Sequence, residues 1–125
     1  MTAKGHPTVI KLTPGQAGDA PHALDLLAPA RRGRVKAVIG DRGYDSAAIA
    51  GHIRRLRARV VIPSQRNRKA QRRYSKPLYK GRNVVESFWN KVKQSRRVAT
   101  RYDKLDACYL GFIHLAATMV VLRHP

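Results

Sequence analysis

Glutamate is almost missing from this chain: Glu86 is the only one in 125 residues. Carboxylates as a class are scarce, with 7 Asp+Glu against 26 Lys+Arg and a formal charge of +19. Such an imbalance calls for a polyanionic partner, and nucleic-acid phosphates are the commonest one. An anionic membrane surface is the competing partner. Cys108 stands alone, which excludes an internal disulfide and fits a reducing compartment. His6, His22, His52, His114 and His124 are scattered without the paired spacing of a zinc site. The opening stretch, MTAKGHPTVIKL, has no apolar core long enough for a secretory signal. The most apolar segment, Ala107 to Leu122, holds Gly111 and His114 and is shorter than the ~20 residues of a membrane span. It reads as a buried terminal helix.

What is present suits one small α/β domain with a modest core, since 43% of residues are hydrophobic. Thr8 to Thr13 (TVIKLT) alternates like a short strand and ends at Pro14-Gly15. Asp19 is placed to cap a helix over PHALDLLAPA. Val35 to Gly40 (VKAVIG) reads as a buried strand closed by Asp41-Arg42-Gly43-Tyr44. Ser46 can cap the helix that follows, whose Ile49, Ile53 and Leu56 share one face. Val60 to Pro63 supplies the next strand, so this order predicts a βαβ unit with parallel pairing. Residues 64 to 80 read as a basic, unpatterned loop. Two helices are expected after it, over about 82–98 and 104–123.

The stretch from Ser46 to Val85 has no acidic residue, and its Arg and Lys are interleaved with Tyr74 and Tyr79. Cations beside aromatics can grip phosphates and stack on exposed bases; a solvated basic loop kept for solubility is the plainer reading. If one helix runs through Tyr79 at about 100° per residue, Tyr79, Arg82, Glu86 and Lys93 share an exposed row. Val84, Val85, Phe88 and Val92 then form the opposite, apolar face. Glu86 is thus aimed away from the core, either as an i, i+4 partner of Arg82 worth ~0.2–0.5 kcal/mol or as a functional carboxylate.

The spacing Tyr79-x2-Arg82-x3-Glu86-x6-Lys93 resembles that around the third catalytic carboxylate of the DDE transposases of bacterial insertion sequences. Asp41-Arg42-Gly43-Tyr44, after an apolar strand, is similar to the setting of their second aspartate. Further similarity runs through LTPGQAGD, VVIPSQRNRK, SRRVATRYDKL and the terminal helix, covering essentially the whole chain.

The resemblance implies a ribonuclease-H-like fold and a function in DNA transposition. Asp41 and Glu86 would be catalytic and metal-binding, sharing two Mg²⁺ ions with a third carboxylate. Carboxylate oxygens suit that hard cation, and a metal pair can clamp both oxygens of an in-line phosphodiester displacement. The DNA-contacting set it implies is Tyr79, Arg82, Lys93, Arg96, Arg97, Arg66, Arg68 and Lys69, acting on transposon ends and target DNA. A homo-oligomer on DNA, an upstream reading-frame product and a cytoplasmic, nucleoid-associated location belong to the same expectation.

One departure stands out. The family's first aspartate ends a strand just before a turn resembling Ala3-Lys4-Gly5-His6-Pro7, and here Thr2 occupies that place. Asp19 and Asp25 are the nearby acids, and they read as a cap and a solvated helix residue. The chain is therefore expected to be an incomplete ribonuclease-H-like domain lacking its first, central strand, and inactive alone. The alternatives are a non-catalytic basic nucleic-acid-binding remnant and, less well matched, a ribosome-associated basic protein.

Overall fold

The computed structural model describes residues 1–14, 18–94 and 106–123. They gather into two compact units, Thr13–Arg82 and Met1–Leu12 with Asn83–Pro125.

The unit Thr13–Arg82 is built on the predicted βαβ element. Strand β1 (Ala37–Ile39) pairs in parallel with β2 (Arg59–Val61), in the register Ala37↔Arg59, Val38↔Val60, Ile39↔Val61. Backbone bonds from Arg59 N to Lys36 O and from Gly40 N to Val61 O extend the ladder at both ends. Helix α2 (Ala47–Arg55) joins the strands. Ser46 caps it as expected, its Oγ accepting from Ile49 N at 3.5 Å. Ile49, Ile53 and Leu56 are buried with Ala23, Ala58 and Ile62, and Leu27, Val35, Val38 and Tyr44 pack around them. Each large aliphatic side chain in that cluster contributes about 1.5–3 kcal/mol of burial.

The end of α2 has an unusual residue. Arg57 N donates to Arg54 O and Ala58 N to Ile53 O, the paired bonds of a Schellman motif, with Arg57 at φ 57°. Glycine ordinarily holds that left-handed position, because a Cβ there crowds the backbone.

Ahead of β1 the chain departs from expectation. The helix over PHALDLLAPA shrinks to a 3₁₀ turn (Ala20–His22) and one short helix, α1 (Ala23–Leu27). Asp19 sits in helical backbone geometry, and its side chain makes no capping bond. A cap acceptor needs extended geometry to turn back onto the helix.

The loop of residues 64–73 leads to α3 (Lys76–Tyr79), capped by Ser75, whose Oγ accepts from Leu78 N at 3.4 Å, and entered through Pro77. A 3₁₀ turn over Lys80–Arg82 follows. A Cβ at Gly81 would stand 3.3 Å from Ile39 Cδ1, a tight approach that glycine permits.

In the other unit, α4 (Asn83–Val92) and the terminal helix α5 (Asp106–Arg123) bury Phe88, Val92, Ile113 and Ala117, with Ile10, Trp89, Tyr109 and Val120 around them. Phe88 and Trp89 meet edge to face at 5.4 Å. The helix expected through Tyr79 is therefore not continuous: α4 begins at Asn83 and ends at Val92, and Lys93 lies in the turn beyond it. Residues 95–98 of that expected helix lie outside the described residues. Val85, assigned to the apolar face, is 39% exposed and outside the core.

The turn after Thr2 forms, with Gly5 N on Thr2 O, Thr2 N on His6 O and Gly5 at φ 82°. Thr8–Thr13 is not a strand. Strand conformation needs a hydrogen-bonded neighbour, and among the described residues β1 and β2 pair only with each other. No described helix is long and apolar enough to cross a membrane.

Arg57→Gly relieves the left-handed arginine while adding glycine's unfolded-state entropy, and should raise stability by about 0.5–1 kcal/mol. A denaturation midpoint that stays put or falls would contradict the strain assigned to Arg57.

Candidate functional site

Strand β1 delivers Asp41 to the surface. Asp41 begins a 3₁₀ turn over Arg42–Tyr44, and its Oδ1 accepts from Gly43 N at 2.9 Å. This aspartate turn fixes the carboxylate and leaves Oδ2 outside that bond. A Cβ on Gly43 would lie 3.0 Å from Oδ1, so a side chain there would disturb the carboxylate.

Asp41 lines an open cleft of about 420 Å³ with Arg42, Gly43, Pro63, Tyr74 and Tyr79. The two tyrosine rings meet edge to face at 5.4 Å, and the Arg82 guanidinium carbon lies 5.7 Å from the centroid of Tyr79. Two tyrosines interleaved with cations in the sequence are thus neighbours of Asp41 in space. Tyr44, behind the turn, has its phenol pKa raised by burial first and then by the Asp19 and Asp41 carboxylates. It stays neutral through physiological pH.

A second aspartate carries the geometry of the basic loop. Asp45 lies four residues after Asp41, yet its side chain is fully buried while Asp41 is exposed. Its Oδ2 accepts from Gln65 N at 2.8 Å and pairs with Arg68 Nε at 2.9 Å. Arg72 Nη1 stands 3.1 Å from Oδ1 and donates to Ile62 O at 3.2 Å; the Oδ1 contact is an ion-pair contact, not an aligned hydrogen bond. Burial by itself would raise the pKa of Asp45. The Gln65 N–H, then Arg68 and Arg72, outweigh it and hold the carboxyl below its usual range.

The loop from residue 64 is therefore held in place, where the sequence suggested an unpatterned segment. Asp45 itself was missed. Its signal was the position of a lone acid directly before the acid-free stretch that begins at Ser46.

Glu86 is exposed on α4, as the apolar pattern required, and Lys93 is exposed just beyond the helix. They belong to one unit, and Asp41, Tyr74, Tyr79 and Arg82 to the other. Arg66 and Lys69 are exposed on the loop, whereas Arg68 spends its Nε on Asp45. Arg96 and Arg97 lie outside the described residues. Among the described residues no three His, Cys, Asp or Glu side chains are grouped to hold a metal.

Residues 38–123 match the family model of the transposase DDE domain. The chain is also 38% identical, over 98% of its length, to 94% of a Brucella ovis protein that carries the name of a transposase for insertion sequence element IS6501. No solved structure matches it. The chain belongs to the DDE transposase family of insertion sequences, a family of nuclease-type enzymes that work in DNA transposition.

Asp45→Ala should cost about 2–4 kcal/mol, because it strands the Arg72 charge, although Arg68 keeps 41% of its side-chain surface exposed and is screened. Since the folded-state pKa is depressed, the stabilisation is complete above the unfolded carboxyl pKa of ~3.9 and is lost as pH falls through the folded value. Unfolding measured from pH 7 to pH 2 should show the wild type and the variant converging only on the acid side. A constant gap across that range would place the stabilisation elsewhere.

Proposed function

We propose that this chain supplies the second and third carboxylates, Asp41 and Glu86, of a ribonuclease-H-like transposase centre that cleaves and joins DNA strands. The observation that carries the reading is the Tyr79-x2-Arg82-x3-Glu86-x6-Lys93 spacing, combined with an exposed Asp41 that shares its cleft with Tyr79.

The donor chemistry fits Mg²⁺. Asp41 presents a carboxylate oxygen in an open cleft, and Glu86 presents its carboxylate on an exposed helix face. When bound, such ions activate an oxygen nucleophile and neutralise charge at the phosphodiester. The chain's own residues hold the substrate. Arg82 and Lys93 neutralise backbone phosphates, and Tyr79, its ring edge against Tyr74, packs on sugar or base. Gly43 N–H keeps Asp41 oriented while DNA occupies the cleft. Arg66 and Lys69 extend the phosphate contacts along the loop. At the Thr2 position, where the resemblance would set the family's first carboxylate, this chain offers a neutral hydroxyl that is a poor substitute for an anionic oxygen.

A second reading, a basic remnant that binds DNA and takes no part in chemistry, draws on the lack of a three-carboxylate group among the described residues. The two separate in a strand-cleavage assay on duplexes carrying the element's ends. A chain extended by a strand that ends in aspartate should cleave with Mg²⁺, while Asp41→Asn or Glu86→Gln in it abolishes cleavage and spares DNA binding. Cleavage that survives both substitutions would remove the carboxylate assignment.

DNA binding itself should show little sequence preference and strong salt dependence. With about 6–10 phosphate contacts, affinity should drop about 10³–10⁵-fold between 50 and 200 mM salt. Affinity indifferent to salt would exclude phosphate neutralisation as its source.

A further inference from the structure

The basic loop contains five cations between residues 66 and 73, namely Arg66, Arg68, Lys69, Arg72 and Arg73. The structure does not treat them alike. Asp45 engages Arg68 Nε at 2.9 Å and Arg72 Nη1 at 3.1 Å, and it also holds the backbone of Gln65 at 2.8 Å. The loop is fastened further by Arg72 N on Ser64 Oγ at 2.7 Å, and by Gln71 Nε2 on Gln65 O at 3.0 Å and on Arg68 O at 2.6 Å. The Arg72 side chain is only 15% exposed, while that of Arg68 is 41% exposed but has its Nε taken up by Asp45. Arg66, Lys69 and Arg73 are exposed, and among the described residues no carboxylate is paired with them.

We infer that Asp45 sorts these cations, holding Arg68 and Arg72 as its own counter-ions so that Arg66, Lys69 and Arg73 form the set that contacts DNA phosphates. Asp45 is in this sense a positioning residue, and the inference rests on the DNA-binding reading above. One carboxylate cancels only one of the two positive charges, so geometry sets the pair apart: the guanidinium groups of Arg68 and Arg72 are anchored to Asp45 and do not turn to meet a phosphate. The three exposed cations have counter-ions to release. Fixing their backbone in advance also lowers the ordering cost of binding. Arg68, which the sequence pattern placed among the DNA contacts, moves by this argument to the structural set.

The test is the slope of log affinity against log salt for the full chain and a labelled duplex of arbitrary sequence. Arg66→Ala, Lys69→Ala and Arg73→Ala should each reduce the slope by about 0.9, one phosphate apiece. Arg68→Ala and Arg72→Ala should leave the slope unchanged for the folded fraction and lower the melting temperature. If those two variants do not fold, the wild-type chain answers the same question by phenylglyoxal modification read by mass spectrometry. DNA should protect Arg66 and Arg73 and leave the rates at Arg68 and Arg72 unchanged. Slope loss or DNA protection at Arg68 or Arg72 equal to that at Arg66 overturns the sorting. So does salt-dependent binding that none of Arg66, Lys69 and Arg73 affects, an outcome that leaves the DNA reading standing. Absence of binding even at low salt overturns both.

Discussion

One buried negative charge organises the part of this protein that its composition would leave loose. Asp45 is surrounded by a chain with a formal charge of +19, and it draws Gln65, Arg68 and Arg72 onto a single carboxylate. Without it, the segment after β2 would hold five cations with no acid nearby, and their mutual repulsion would favour extended, solvated conformations. With it, the segment becomes a shaped wall that starts at Pro63 and returns the chain through Tyr74 to α3, both residues lining the Asp41 cleft. Two aspartates four residues apart thus do opposite work. Asp41 keeps its carboxylate at the surface on a glycine N–H, and Asp45 commits its own to the interior.

Two arginines elsewhere in the unit are held by other means. Arg57 occupies a left-handed position where glycine is less strained, yet it keeps a cation on the exposed end of α2. Arg82 lies over the Tyr79 ring, and that aromatic contact restrains its guanidinium. Cations fixed in place beforehand have less ordering left to lose on meeting a polyanion, because immobilising flexible side chains during binding subtracts from affinity.

Much of this was legible in the sequence wherever the signal was local. The face of Ile49, Ile53 and Leu56, the cap at Ser46 and the parallel pairing of two short strands follow from period and punctuation, and they appear as read. Phe88 and Val92 mark the buried side of α4 for the same reason. The misses are non-local. Thr8–Thr13 alternates like a strand, but pairing depends on a neighbour that periodicity cannot supply. The helix drawn through Tyr79 fails at Gly81, where close approach to Ile39 on β1 coincides with a 3₁₀ turn, so a single wheel cannot relate Tyr79 to Glu86. Asp45 reaches a backbone amide twenty residues on, at a separation that spacing rules for helices and strands do not cover. Of the candidate site, the position of Asp41 at the end of β1 and the exposure of Glu86 were readable. The tyrosine pair beside Asp41 was not, because it depends on how the loop is held.

Asp45 orders the basic loop in the free chain, before any polyanion binds. Residue-resolved amide hydrogen exchange on the free chain reads that order. Exchange should be slow at the Gln65 and Arg72 amides, which donate to Asp45 and Ser64, although Gln65 is an exposed residue. Arg66 and Lys69, exposed and without such bonds, should exchange much faster. Uniformly fast exchange from residue 65 to residue 73, at the rate of an unstructured chain, would show that Asp45 does not order the loop.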